Sequence, residues 1–207
     1  MATWRDVTIE KYEKISALQN EGLGEIDLIA AVIAVLDGKT VKEVEEMPYG
    51  TLLLKARGLR FLQDKPLTPL VKGEYTLNGV KYKATLKPQE LTTAQYIDFQ
   101  VRATDAPEDL AGLLSIFLIP EGHKYNEDYS SDDVREVIYR YLPVEDGMAL
   151  SAFFFALWKK SIRRLLRHSR RQYLKLKWKR HRTETEEKLL TATKNLIETI
   201  ERAERYL

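Results

Sequence analysis

The 207-residue chain contains no cysteine, which excludes a disulfide framework and any thiolate metal site. Histidine is scarce too: His123, His168 and His181 are the three. None sits with another histidine or a carboxylate at metal-ligand spacing, so all three read as surface residues. Glycine and proline are missing from Ala149 onward, which leaves nothing there to interrupt a helix. Acidic residues are missing from Trp158 to Arg182, a stretch holding 12 Lys/Arg. The longest apolar runs, 28–36 and 149–158, fall short of the roughly 20 residues that span a bilayer. The opening MATWRDVTIEKYEK lacks the basic-then-apolar pattern of a secretory leader, so a cytosolic protein is expected. No glycine-rich phosphate cradle, nucleophile elbow or HExxH pattern occurs.

What the chain does have is 44% hydrophobic and 31% charged residues, a mixture that folds and keeps a charged surface. Its formal net charge of +2 conceals an asymmetry. The first 157 residues carry 17 bases and 25 acids, whereas 183–207 carry 4 bases and 6 acids. An acidic body therefore bears a strongly basic arm.

The segment EYTLNGVKYKATL, residues 74–86, predicts a two-strand hairpin. Asn78-Gly79 lies between alternating larger residues, and a two-residue turn needs positive φ at both positions. The flanks read as helical. Thr8 can cap a helix carrying Ile9, Tyr12, Ile15 and Leu18 at helical spacing. Residues 25–36 form an almost wholly apolar helix that belongs at the centre of a core. Thr40-Val-Lys-Glu43 is a capping box opening a short helix. A further helix over 49–62 is expected to bury Leu52, Leu53, Ala56, Leu59 and Phe61. Beyond the hairpin, Thr92-Thr-Ala-Gln95 is a second capping box. Residues 111–119 read as another apolar helix, 132–142 as an amphipathic one, and 148–158 as a third apolar helix whose Phe153, Phe154, Phe155 and Trp158 are core. The acidic loop 126–133 lacks the glycine and terminal glutamate of a calcium loop. Ser131 or Asp132 as a helix N-cap accounts for it.

These events repeat. TIEKYEKI from Thr8 pairs with TTAQYIDF from Thr92 at an offset of 84, residues 29–36 pair with 113–120, and VKEVEEMP from Val41 pairs with VREVIYRYLP from Val134. We read an internal duplication. The expected fold is mainly α: a helical lobe over 1–73, a hairpin connector over 74–90, a similar lobe over 91–158, and a basic helical extension over 159–207.

In the extension Ile162, Leu165, Leu166, Ser169, Tyr173 and Leu176 share one helix face. The last section has its own stripe at Leu189, Leu196, Ile200, Ala203 and Leu207. Either one helix of over 50 residues continues to the end, or it breaks near 181–185. An apolar stripe on a helix asks for a partner surface, on the same chain, on a copy of it or on another protein. The candidate contact residues are Ile162, Leu166, Tyr173, Leu176, Leu189, Leu196, Ile200 and Leu207. The candidate basic surface is Arg163, Arg164, Arg167, Arg170, Arg171, Lys175, Lys177, Lys179, Arg180 and Arg182. Cations interleaved with Tyr173 and Trp178 suit an acidic protein surface first, then a nucleic acid, then an anionic membrane.

The order and spacing of these features resemble the tail assembly chaperones of long-tailed bacteriophages. The carriers are WRDVTIEKYEKI, the apolar helix before DGKTVKEVEEMP, YTLNGVKYKATL, TTAQYIDF, LLSIFLIPEGHKY and ALSAFFFALW, which together cover roughly residues 4–168. The resemblance implies a non-enzymatic protein of the host cell cytoplasm, without a cofactor and absent from the mature virion. Such a protein coats the tape measure protein, keeps it soluble and brings tail tube subunits to polymerise around it, as a homo-oligomer. The basic arm beyond His168 is longer than the family pattern. The alternative from the residues themselves is a nucleic-acid-binding phage structural or packaging protein using 159–182.

Overall fold

Near the N-terminus the backbone of Trp4–Asp6 makes one 3-10 turn, tied by the Thr3 amide donating to Asp6 Oδ2 at 2.9 Å. Helix α1 (Ile9–Asn20) then starts where expected, the Lys11 amide donating to Thr8 Oγ1. Helix α2 (Glu25–Asp37) buries Ala30 through Ala34 and stops at Gly38, whose φ of 66° is the left-handed cap that glycine adopts freely. Both arms of the Thr40–Glu43 capping box are made at the start of α3 (Val41–Glu45). Helix α4 (Tyr49–Arg57) is shorter than expected: from Gly58 to Gln63 the chain tightens into 3-10 geometry. Leu59 and Phe61 in that stretch pack on the core, while Leu53 within α4 is 44% exposed.

The hairpin forms as read, with β1 (Glu74–Leu77) antiparallel to β2 (Val80–Ala84), Tyr75 opposite Tyr82 and Leu77 opposite Val80. Asn78 and Gly79 both take positive φ, 47° and 77°. Alternation puts Tyr75, Leu77 and Tyr82 inside. Helix α5 (Thr93–Asp105) follows its capping box. The apolar run after it is not one helix. Helix α6 (Leu110–Ser115) ends early, and β3 (Leu118–Pro120) pairs antiparallel with β2, placing Leu118 opposite Ala84. Helix α7 (Ser131–Tyr141) is capped by Ser130, not by Ser131 or Asp132, its hydroxyl accepting from the Asp132 amide at 3.2 Å. Helix α8 (Val144–Lys177) is long and uninterrupted, and α9 (Glu184–Arg205) closes the chain.

The computed structural model describes residues 3–66, 69–106, 108–178 and 183–205, without the side chains of 88, 158–166, 196 and 198–205. It is mainly helical with a three-stranded antiparallel sheet in the order β1-β2-β3. Two compact units divide it, Met1–Ser151 and Ala152–Leu207.

The first unit is closed by its two ends. The Val144 amide donates to the Val7 carbonyl at 2.8 Å and the Ile9 amide to the Leu142 carbonyl at 3.2 Å. Val7, Leu142 and Val144 are fully buried at that joint. Around it Trp4, Ile15 and Val32 form one cluster, with Tyr12 and Phe61 stacked edge-on or tilted against Trp4. A second cluster, Ala30, Ile33, Ala34 and Val44, fixes α2 to α3 and α4. Helix α1 packs on α2 and α7, and α5 on α6. Positions 84 apart agree in burial at Ile15 and Phe99, and through 30–34 and 114–118. Their backbones agree at α1 and α5 and part company at β3.

Candidate interaction surface

The second unit contains the stretch the sequence singles out. Its backbone is helical to Lys177 because no residue from Ala149 onward breaks a helix. Thr183 opens a further capping box: its amide donates to Glu186 Oε2 at 3.1 Å, and the Glu186 amide to Thr183 Oγ1 at 3.3 Å. Its sequence signal, Thr183-Glu-Thr-Glu186, is one that the sequence reading passes over. It sets the start of α9, within the 181–185 window where a break was one of two expectations. Glu184, Glu186 and Glu187 occupy the first turn, where carboxylates complement the helix dipole.

Burial orders the arm. Ser169 is 4% exposed, and Tyr173 and Leu176 are half-buried one and two turns further on. That row is the described part of the apolar face read from the sequence, and it is already largely covered. The opposite side, roughly 130–170° around at 100° per residue, carries Arg167, Arg171, Leu174 and Trp178. Leu174 is 50% exposed and Trp178 81%. The helix therefore presents a leucine and a tryptophan one turn apart to solvent, between exposed cations at Arg167, Arg170, Arg171, Lys175 and Lys177. The Lys177 ammonium lies 5.8 Å from the Tyr173 ring centroid, close enough for a cation–π contact that orients it.

Among the described side chains of α9 the half-buried positions are Glu186, Leu190, Thr193 and Ile197, while Leu189 is 54% exposed. Lys188 pairs with Glu184 one turn back at 2.7 Å. The helical positions of Ile162, Leu166, Leu196, Ile200, Arg163 and Arg164 are defined, but their side chains lie outside the described residues, as do Leu207, Lys179, Arg180 and Arg182 entirely. In the same unit Phe154 is buried and Phe153 stacks on it at 5.5 Å, edge to face.

Trp178 is one of the two aromatics the sequence sets among the cations, whereas its neighbour Leu174 is the part that sequence reasoning passed over. It is implied by spacing alone, because residues four apart share a face and these two lie across the helix from Tyr173. Chemically the face can adsorb a surface that offers negative charge beside apolar groups. Among the described residues no group of three or more His, Cys, Asp or Glu is placed to hold a metal ion, and no helix is long and apolar enough to cross a membrane. The chain matches no protein-family model, no curated protein and no solved structure.

Proposed function

We propose that the protein is a non-enzymatic tail assembly chaperone, binding a tape measure protein, keeping it soluble and promoting tail tube polymerisation in the host cell cytoplasm. The resemblance in the order of sequence features supplies the partners. The observation that carries a binding role is the solvent-facing Leu174 and Trp178 among cations. Exposed aromatic anchors ringed by polar groups are what binding hot spots are made of. A tape measure is a long helix with apolar stripes, and such stripes dock on helical surfaces that offer apolar contacts of their own. Under this reading the body is two related lobes, each opened by a capped helix at Thr8 or Thr92. Residues 159–207 are then the contact arm, and the protein leaves before the virion is mature. Co-expression with the tape measure protein tests it. The expected result is a soluble complex that persists in high salt and is weakened by Trp178→Ala. Absence of any complex ends the proposal.

A second reading has its own observation: the arm combines five exposed cations with an exposed indole, the pairing that tracks phosphates and stacks bases. If these five each neutralise one phosphate of a single strand, log K falls with log salt at a slope of roughly −3.5. A slope near zero for a single-stranded oligonucleotide excludes it.

A further inference from the structure

We infer that the first unit carries a separate docking groove, along α4, for an amphipathic helix with a leucine-sized anchor flanked by carboxylates. A groove of about 580 Å³ opens between the end of α2 and α4, walled by Ile33, Leu36, Leu54 and Leu59, with Lys55 and Arg57 at its edge. Its size suits an aliphatic side chain with room to spare. Helix α4 buries none of its residues, although it contains three consecutive leucines. Leu52 alone of them packs into the core, while Leu53 is 44% and Leu54 69% exposed. Tyr49, 64% exposed, stands one turn before Leu53, and Arg57 one turn after. The apolar exposure is therefore a row along the helix plus a hole beside it. A small ligand in the hole leaves Tyr49 and Leu53 wet. A helix laid along α4 covers both and drops one side chain into the groove.

Charge selects the occupant. Residues 49–60 contain Lys55, Arg57 and Arg60 and no acid, within a 157-residue body that holds 25 acids. Asp37 engages Lys55 at 2.6 Å across the groove, which leaves Arg57 and Arg60, both exposed, to set the sign of the surroundings. An acidic helix is attracted to this patch and a basic one repelled. The groove does not depend on what the α8 face binds.

The test uses the full chain and a 21-residue peptide with leucines at heptad a and d positions and glutamate or glutamine elsewhere. Hydrogen–deuterium exchange is followed at residues 49–60, which separates this groove from the basic face of α8. The expected result is peptide-dependent protection of 49–60 of at least tenfold, abolished by Leu54→Glu and by Arg57→Glu, and retained in Trp178→Ala. Both groove substitutions lie at exposed positions, so folding is preserved. Four outcomes overturn the inference: no protection at 49–60, equal protection by a lysine counterpart of the peptide, protection surviving Leu54→Glu, or displacement of the peptide by equimolar dodecanoate. Light scattering adds a fifth: a dimer dissolved by Leu54→Glu assigns the groove to a second copy instead.

Discussion

Asp109 shows how much one carboxylate holds in place. Its Oδ1 accepts from the Gly112 amide at 3.0 Å and caps α6, while its Oδ2 meets Arg135 Nε at 2.9 Å and Arg102 Nη1 at 3.4 Å. Gly112 is buried beneath this group, and a Cβ there collides with the Asp109 carboxylate and the Arg102 guanidinium. Gly112→Ala is therefore expected to cost about 1–3 kcal/mol, as overpacking does, visible as a lowered urea midpoint. Capping carboxylates also make stability depend on pH. The Thr3 amide and hydroxyl hold Asp6 below its ordinary 3.8, and those of Thr40 hold Glu43 below its ordinary 4.5. Folded values below unfolded ones give stability that is present above the unfolded values and is lost as pH falls through the folded ones. Acid titration should show this loss beginning below about pH 4.5. Glu43→Gln, which keeps an oxygen acceptor, should remove its share of the slope. Gln95, the neutral member of the Thr92 box, contributes none.

At the level of elements, Gln95 joins what the sequence kept apart. Its Oε1 accepts from the Thr92 amide at 3.0 Å, and its Nε2 donates to the Ile116 carbonyl at 2.8 Å, just before β3. Gln95 is 1% exposed. Replacing it with leucine leaves that carbonyl unpaired and opens the cap, a loss of about 2–4 kcal/mol. Denaturation measures it, and faster amide exchange in β3 should accompany it. The caps and the Asn-Gly turn were legible because their chemistry is local. The third strand was not. AGLLSIFLI is apolar throughout, and an unbroken run has no period to tell a helix from a buried strand. What divides it is tertiary: β2 offers an edge, and the Thr85 amide donates to the Phe117 carbonyl at 3.0 Å to start the pairing. Leu53 departs from its expected burial because three leucines in a row cannot all face one way. The basic arm and Trp178 among its cations were readable from the sequence, yet Leu174 beside it was not, because it lies outside the stripe on the far side.

At the scale of the molecule, the two buried clusters described for the first unit draw on residues up to Met148, and its buried core runs on to Leu150. A chain ending at Leu157 is therefore expected to keep its cooperative melt within a few degrees. Trp4 is then the only tryptophan left. It is 9% exposed, with its indole N–H donating to the Asp64 carbonyl at 3.0 Å, so its fluorescence reports that unit alone. A blue-shifted emission lost in one transition supports the division at Ser151, and a red-shifted emission in the native buffer refutes it.

The joint between Val7 and Val144 has a bearing on how the protein is made. Val7 leaves the ribosome well before its partner: the amide that donates to its carbonyl belongs to a residue synthesised 137 positions later. Closing so wide a loop is slow compared with forming the hairpin or any single helix. The newborn polypeptide must therefore carry Val7 and Ile9 without their partners until the segment at Leu142–Val144 emerges, an interval in which the apolar start of α1 is in need of a guardian.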